Sequence, residues 1–286
     1  MGESKSPSAP PFWRIILGRR LADLREQARM SQEGAGKVLD LSMATVRRME
    51  RGEVGLKPLY VRALLQAYGL PASEVAAFME LVEQANTPGW WHRYRDTVPA
   101  WFSPYVALED AASLIRIYEP HYVPGLLQTE DYARSVLRAG QHRSAEELER
   151  QVVVRIKRQE LLCREDAPTL WVLMEESALY RPVGGPQVMR AQIQRVLDAS
   201  QQPNIRVQIL PLGIGAHPGA FGPFTYFRFP APELPDTVHV DALAGGDFKD
   251  REDDVARYLE TLDRMTVQAA KIDPSREMLE NALKKD

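Results

Sequence analysis

The sequence predicts two domains: a small all-α domain of five helices at the N-terminus, then a larger α+β domain with a small sheet. Three observations carry that expectation. Apolar residues recur at helical spacing in five short segments within roughly the first 85 residues. From Thr169 onward the period changes, and short β-rich runs bounded by Pro and Gly alternate with helical segments. Charge divides along the same line: residues 13–70 hold 11 Lys and Arg against 6 Asp and Glu, a balance of +5, in a 286-residue chain of net charge −3.

Taken in order, residues 1–12 are rich in Pro, Ser and small side chains and read as a disordered tail. They hold no apolar run that would make a signal peptide or an anchor. Ile16, Leu17, Leu21 and Leu24 mark the first helix of a domain spanning 13–86. Ser31 caps the second helix, with Gln32 at its first position, where an amide can reach a phosphate. Ala35, Val38 and Leu39 form its expected buried stripe. Gly34 and Gly36 each cost up to about 1 kcal/mol relative to Ala in a helix, which implies a loosened element.

Asp40-Leu41-Ser42 makes a turn, Leu41 plugging the space between two helices. Ser42 caps the third helix, on which Val46 and Met49 point one way while Met43, Ala44, Arg47, Arg48 and Arg51 gather opposite. Pro58 opens a fourth helix through Leu64, Leu65 and Tyr68, ending at Gly69. Ser73 begins a fifth through Val75, Phe78, Met79 and Val82. A helix anchored by two apolar residues, presenting small and basic groups outward, suits a DNA major groove. Gln32 and Arg51 are then expected on the DNA backbone. Ser42, Met43, Ala44, Arg47 and Arg48 are expected to face bases, and Thr45 completes the DNA-facing set. One such motif covers few base pairs, so a homodimer on two half-sites is expected.

The turn cluster Asn86-Thr87-Pro88-Gly89 marks the boundary, followed by a linker over 87–99, a second domain over 100–275 and a helical tail over 276–286. A helix is expected from Pro104 through Ala107, Ala111, Leu114 and Ile115 to Tyr118, and another from Gln128 or Thr129 to Gly140. Ser144 and Glu147 form a capping box for a third, running to about Leu162. Its basic face, Arg155, Lys157 and Arg158, is read as solvated or acid-paired. Strands are expected at 169–174, 205–210, 224–229 and 237–240, and helices at 187–199 and 253–268.

Trp90, Trp91, Tyr94 and Trp101 cluster in sequence, and Tyr118 and Tyr122 follow; these aromatics are candidates for a partner or ligand surface. His217, His239 and Asp241 are the nearest approach to a metal set, which needs three or four ligands and a second shell. The sequence has no G-x-S-x-G, H-E-x-x-H or P-loop. An enzyme, a cofactor and a metal are therefore not expected. Cys163 is the only cysteine, which rules out an intrachain disulfide and fits a reducing cytoplasm; it is read as a packed thiol. No stretch of about 18 apolar residues is present to span a membrane.

Residues 17–52 resemble the helix-turn-helix of the Xre/lambda-repressor class. The matching residues are Leu24-Arg25, Ser31-Gln32-Glu33, Leu39, Ser42, Thr45, Val46, Arg48, Met49 and Glu50-Arg51-Gly52. The resemblance implies a lambda-repressor-like fold and a structural ion pair between Arg25 and Glu50. Further on, PGWWHRY (88–94), YEPHYVPGLLQTEDYAR (118–134), RPVGGP (181–186), GAHPGAFGPFTYFRF (215–229) and DVARY (254–258) resemble the large C-terminal domain of actinobacterial WhiJ-like Xre regulators. That likeness implies a cytoplasmic transcriptional regulator of antitoxin-like type, binding double-stranded DNA and a small partner protein encoded nearby. Two other classes stay open from the residues themselves: a small-molecule-responsive repressor, and a hydrolase or metalloprotein with an attached DNA module.

Overall fold

The helical periods of the N-terminal segments are realised one for one in a computed structural model, which describes residues 12–86, 90–94, 102–140, 144–231, 234–242 and 245–284. Residues 1–11 of the expected tail, Trp101 and most of the expected linker lie outside the described residues, while Phe12 already belongs to the first helix. By contact density the chain divides into two units, Met1–Leu108 and Glu109–Asp286.

In the first unit α1 is Phe12–Gln27, α2 Gln32–Leu39, α3 Met43–Glu50, α4 Pro58–Ala67 and α5 Ala72–Asn86. Their apolar stripes meet in one core: Ile16, Leu17 and Leu21 of α1, Val46 and Met49 of α3, Leu64 and Leu65 of α4, and Phe78 and Val82 of α5 are all buried. Pro58 stands at the start of α4, where a missing N–H costs nothing. Two positions depart from the predicted stripe, Leu39 being half-buried and Val38 exposed. Val38 is 43% exposed, because α2 buries only its Ala35–Gly36 side.

The division falls within α6, Phe102–Ala111, and here the predicted helix to Tyr118 is cut short. Residues Leu114–Glu119 form strand β1 instead. Leu114, Ile115 and Tyr118 fit a helical period by coincidence. A central strand covered on both faces shows no apolar–polar alternation to betray it.

The second unit is built on a six-stranded sheet, larger than the small sheet expected, in the order β3-β2-β1-β4-β5-β6. The strands are β2 Thr169–Glu175, β3 Ile205–Leu210, β4 Phe224–Arg228, β5 Thr237–Ala242 and β6 Gly245–Lys249. β1, β2 and β3 are parallel. β4, β5 and β6 extend the other edge antiparallel. The parallel half requires crossovers: α7 (Glu130–Gly140) and α8 (Ala145–Lys157) between β1 and β2, and α9 (Pro186–Ala199) between β2 and β3. The capping box at Ser144 and Glu147 is formed at the start of α8.

One face of the sheet is covered by α10, Glu252–Gln268, whose Val255, Leu262 and Met265 pack on Tyr118, Leu173, Phe224, Tyr226 and Val238. Arg116 of β1 ties the same helix down, donating to Asp263 at 2.7 Å and to Thr266 at 3.1 Å. α11, Ile272–Lys284, packs against β3 and α9. The segment expected as a tail thus puts Leu279 and Ala282 into the interior.

Candidate DNA-binding surface

The geometry of the α2–turn–α3 segment follows from its caps. Ser31 Oγ accepts the Gly34 N–H at 3.0 Å, and Ser42 Oγ accepts the Thr45 N–H at 3.2 Å while contacting Thr45 Oγ1 at 3.0 Å. Asp40 closes α2 in the left-handed conformation (φ 53°), and the Leu41 N–H returns to the Gly36 carbonyl at 2.9 Å. Gly36 is there for space: a Cβ on it would sit 2.6 Å from the Leu41 carbonyl oxygen. The expectation of a loosened α2 misjudged this residue, since the glycine lets the turn close tightly over the helix.

α3 then presents what the pattern predicted. Val46 and Met49 are buried, while Ser42, Met43, Ala44, Arg47, Arg48 and Arg51 are exposed and Thr45 is half-buried. Arg47 has no ion-pair partner among the described residues. Arg48 and Arg51 lie only loosely against one carboxylate, Glu53, at 3.9 and 3.8 Å. Solvated contacts of that length contribute little, so both guanidiniums are available to another anion.

Behind this face lies a buried polar lock. Arg25 Nε donates to Glu50 Oε1 at 2.6 Å and Nη2 to Oε2 at 3.3 Å, with both residues 7% exposed. Arg25 Nη1 also donates to the Met30 carbonyl at 2.9 Å, in the turn before α2. The Glu50 carboxylate holds the Arg25 guanidinium above its ordinary pKa. Gln32 completes the set: its Nε2 donates to Glu50 Oε2 at 2.7 Å. The sequence assigned Gln32 to a DNA phosphate; the structure gives its amide an intramolecular task, joining the start of α2 to the end of α3.

The aromatic candidates divide between the units. Trp90, Trp91 and Tyr94 form a short 3-10 turn in which Trp90 meets Trp91 edge-on at 6.0 Å and Tyr94 at 6.1 Å. Trp101 lies outside the described residues. Tyr118 is not at a surface: it is fully buried on β1 and donates to Glu175 at 2.7 Å. Tyr122 is half-buried beneath the Arg181 guanidinium, 5.7 Å from its ring centre.

Of the residues weighed for a metal, His217 bonds Glu175 at 3.0 Å and His239 lies 3.5 Å from Asp241. No group of three or more metal-ligating side chains occurs among the described residues. Burial pushes His239 down to about 4 and the Glu119 carboxyl up to about 7. The basic face of α8 is acid-paired at Arg158, which donates to Glu109 at 2.8 and 2.5 Å. Cys163, expected to be packed, is exposed because the chain leaves its 3-10 turn there.

Two family models match the chain. One, described as a helix-turn-helix domain, covers residues 16–78. The other, described as a domain of unknown function (DUF5753), covers residues 102–281, well over half of the chain. The chain belongs to the DUF5753 family. No curated protein and no solved structure matches it. In this DUF5753 protein α1–α5 are a helix-turn-helix DNA-binding domain, and the family's own domain is the mixed sheet with its helices. No helix among the described residues is long and apolar enough to cross a membrane.

Proposed function

We propose that the protein is a sequence-specific transcriptional regulator of the Xre type, cytoplasmic and homodimeric. Its DUF5753 domain receives a small protein partner, in an antitoxin-like arrangement, and performs no catalysis. The observation that carries the DNA-reading part is the α3 face. Three arginines without firm internal partners project beside Ser42, Met43 and Ala44, and the buried Arg25–Glu50–Gln32 lock fixes the helix that bears them. Arg47 or Arg48 reads guanine through a bidentate contact, and Arg51 holds a phosphate. A basic module on an acidic body keeps the remainder of the chain away from the duplex.

Selection of genomic fragments by the full-length protein, followed by competition titrations, tests this reading. Arg47→Ala or Arg48→Ala is expected to lose about 1–3 kcal/mol of discrimination for the selected duplex over random DNA, with the fold intact. Unchanged preference in both variants would remove α3 as the reading helix. Two half-sites about one helical turn apart are expected in the selected sequence, with a protein dimer on them.

A further inference from the structure

A cavity of about 550 Å³ opens in the second unit between α10, the ends of β4–β6 and the loop following β3. That volume lies within the range of small-molecule sites. We propose that it binds a small organic anion with an apolar body. This inference is independent of the partner-protein reading.

The cavity's floor is apolar and ordered by aromatic contact: Phe224 of β4 meets Tyr258 of α10 edge-on at 4.9 Å, and Val240 of β5 completes the lining. Its loop wall is pinned at one end. His217 Nε2 bonds Glu175 at 3.0 Å, and the His217 ring packs edge-on against Tyr118 at 5.9 Å. Gly219 then presses directly on the core, where a Cβ would lie 2.9 Å from the Tyr118 ring. Two residues later the wall ends in Phe221, which lines the cavity and yet is 100% exposed. A phenyl ring held over an apolar cavity with no protein surface against it gains cover only from an occupant.

Charge selects the occupant. Lys249 and Arg257 stand on the lining with Asp254. Lys249 donates to Asp247 and is further favoured as a cation by Asp254. Arg257 makes no ion pair among the described residues, even with Asp254 one turn away. One cation is thus left for a carboxylate or sulfonate, and a guanidinium is the group that binds such anions through paired hydrogen bonds. An aryl or an acyl body would each suit the floor.

The test titrates the full-length protein, without DNA, with anilinonaphthalene sulfonate as an aromatic probe, then competes with decanoate or with decyltrimethylammonium. Saturable binding of one probe per chain is expected, displaced by an organic anion, either decanoate or a benzoate-type acid, and at least tenfold less readily by the cation. Displacement by a benzoate-type acid but not by decanoate would assign an aryl body, and the reverse an acyl one. Arg257→Glu, an exposed change that leaves the fold in place, and Val240→Trp, which fills the floor, should each weaken the probe at least tenfold with the thermal transition retained. Absence of saturable binding, equal displacement by the cation, or unchanged affinity in Arg257→Glu would overturn the proposal.

Discussion

Removing one member of the Arg25–Glu50 pair is the sharpest perturbation of the DNA-binding unit. In Arg25→Met the Glu50 carboxylate, 7% exposed, keeps only the Gln32 amide as donor. In Glu50→Met the guanidinium keeps the Met30 carbonyl and the exposed Glu26, 3.3 Å away. Each single change leaves a buried charge that the fold no longer compensates, and losses of about 3–5 kcal/mol are typical for that event. The double change Arg25→Met with Glu50→Met removes both charges and should recover most of the loss, since apolar residues of similar volume often replace such pairs at little cost. Hydrogen exchange of the full chain, read on peptides from α1 to α3, resolves the unit from its neighbour. A loss of 3 kcal/mol corresponds to exchange faster by roughly two orders of magnitude where opening is global. If Arg25→Met accelerates exchange by less than about fivefold, or the double variant is as weakened as the sum of the singles, the pair does not hold the unit together.

Three further outcomes follow from the same geometry. Gly36→Ala, a change that favours an isolated helix, should instead destabilise the DNA-binding unit by about 1–3 kcal/mol, because the added methyl meets the Leu41 carbonyl oxygen at 2.6 Å; a raised thermal midpoint would contradict the close approach. His239 is neutral in the fold, its pKa lowered to about 4 against an ordinary 6.5. Its contribution is therefore full above 6.5 and lost as pH falls toward 4, up to about 3 kcal/mol by linkage. The gap in stability between the wild type and His239→Leu, measured by urea titration, should narrow in favour of the variant as pH drops from 7 to 5. Glu119 works in the opposite sense: its pKa, raised to about 7 from 4.5, makes its contribution full below 4.5 and lost as pH rises through 7. Glu119→Gln should thus gain on the wild type between pH 5 and pH 8, and a flat difference would refute the burial that raises the carboxyl.

The sequence made the first unit legible because each of its elements states its own ends. Ser31 and Ser42 cap, Pro58 starts and Gly69 stops, and the apolar stripes between them are short enough that no second period competes. The exposed set on α3 followed from the same arithmetic. What escaped was tertiary. Gly36 looks like a helix weakener until the Leu41 carbonyl is placed over it, and Gln32 looks like a free phosphate ligand until Glu50 is brought beside it. Neither neighbour is close enough in sequence for a local pattern to declare it.

The second unit was legible where strands carry branched and aromatic residues between Pro and Gly, and illegible at its two unlike extremes. β1, central and covered on both faces, reads LIRIYE without alternation, and its one basic residue, Arg116, is absorbed by Asp263 and Thr266 from α10. β6, at the edge, reads GGDFK and has no apolar rhythm to detect. Those two strands decide where chemistry can sit. β1 carries Tyr118 to Glu175 and His217, so the loop above the sheet is fastened. β6 carries Lys249 to the cavity, where Asp247 and Asp254 occupy its charge and leave Arg257 uncommitted. The two strands hidden from sequence thus fasten the loop wall and add one cation to a cavity that α10, β4 and β5 otherwise line, whereas the elements that hold DNA are the ones any helical period exposes. That asymmetry has a physical origin: a groove-reading helix must present its side chains locally, along one face, while a cavity is assembled from strands and loops far apart in the chain.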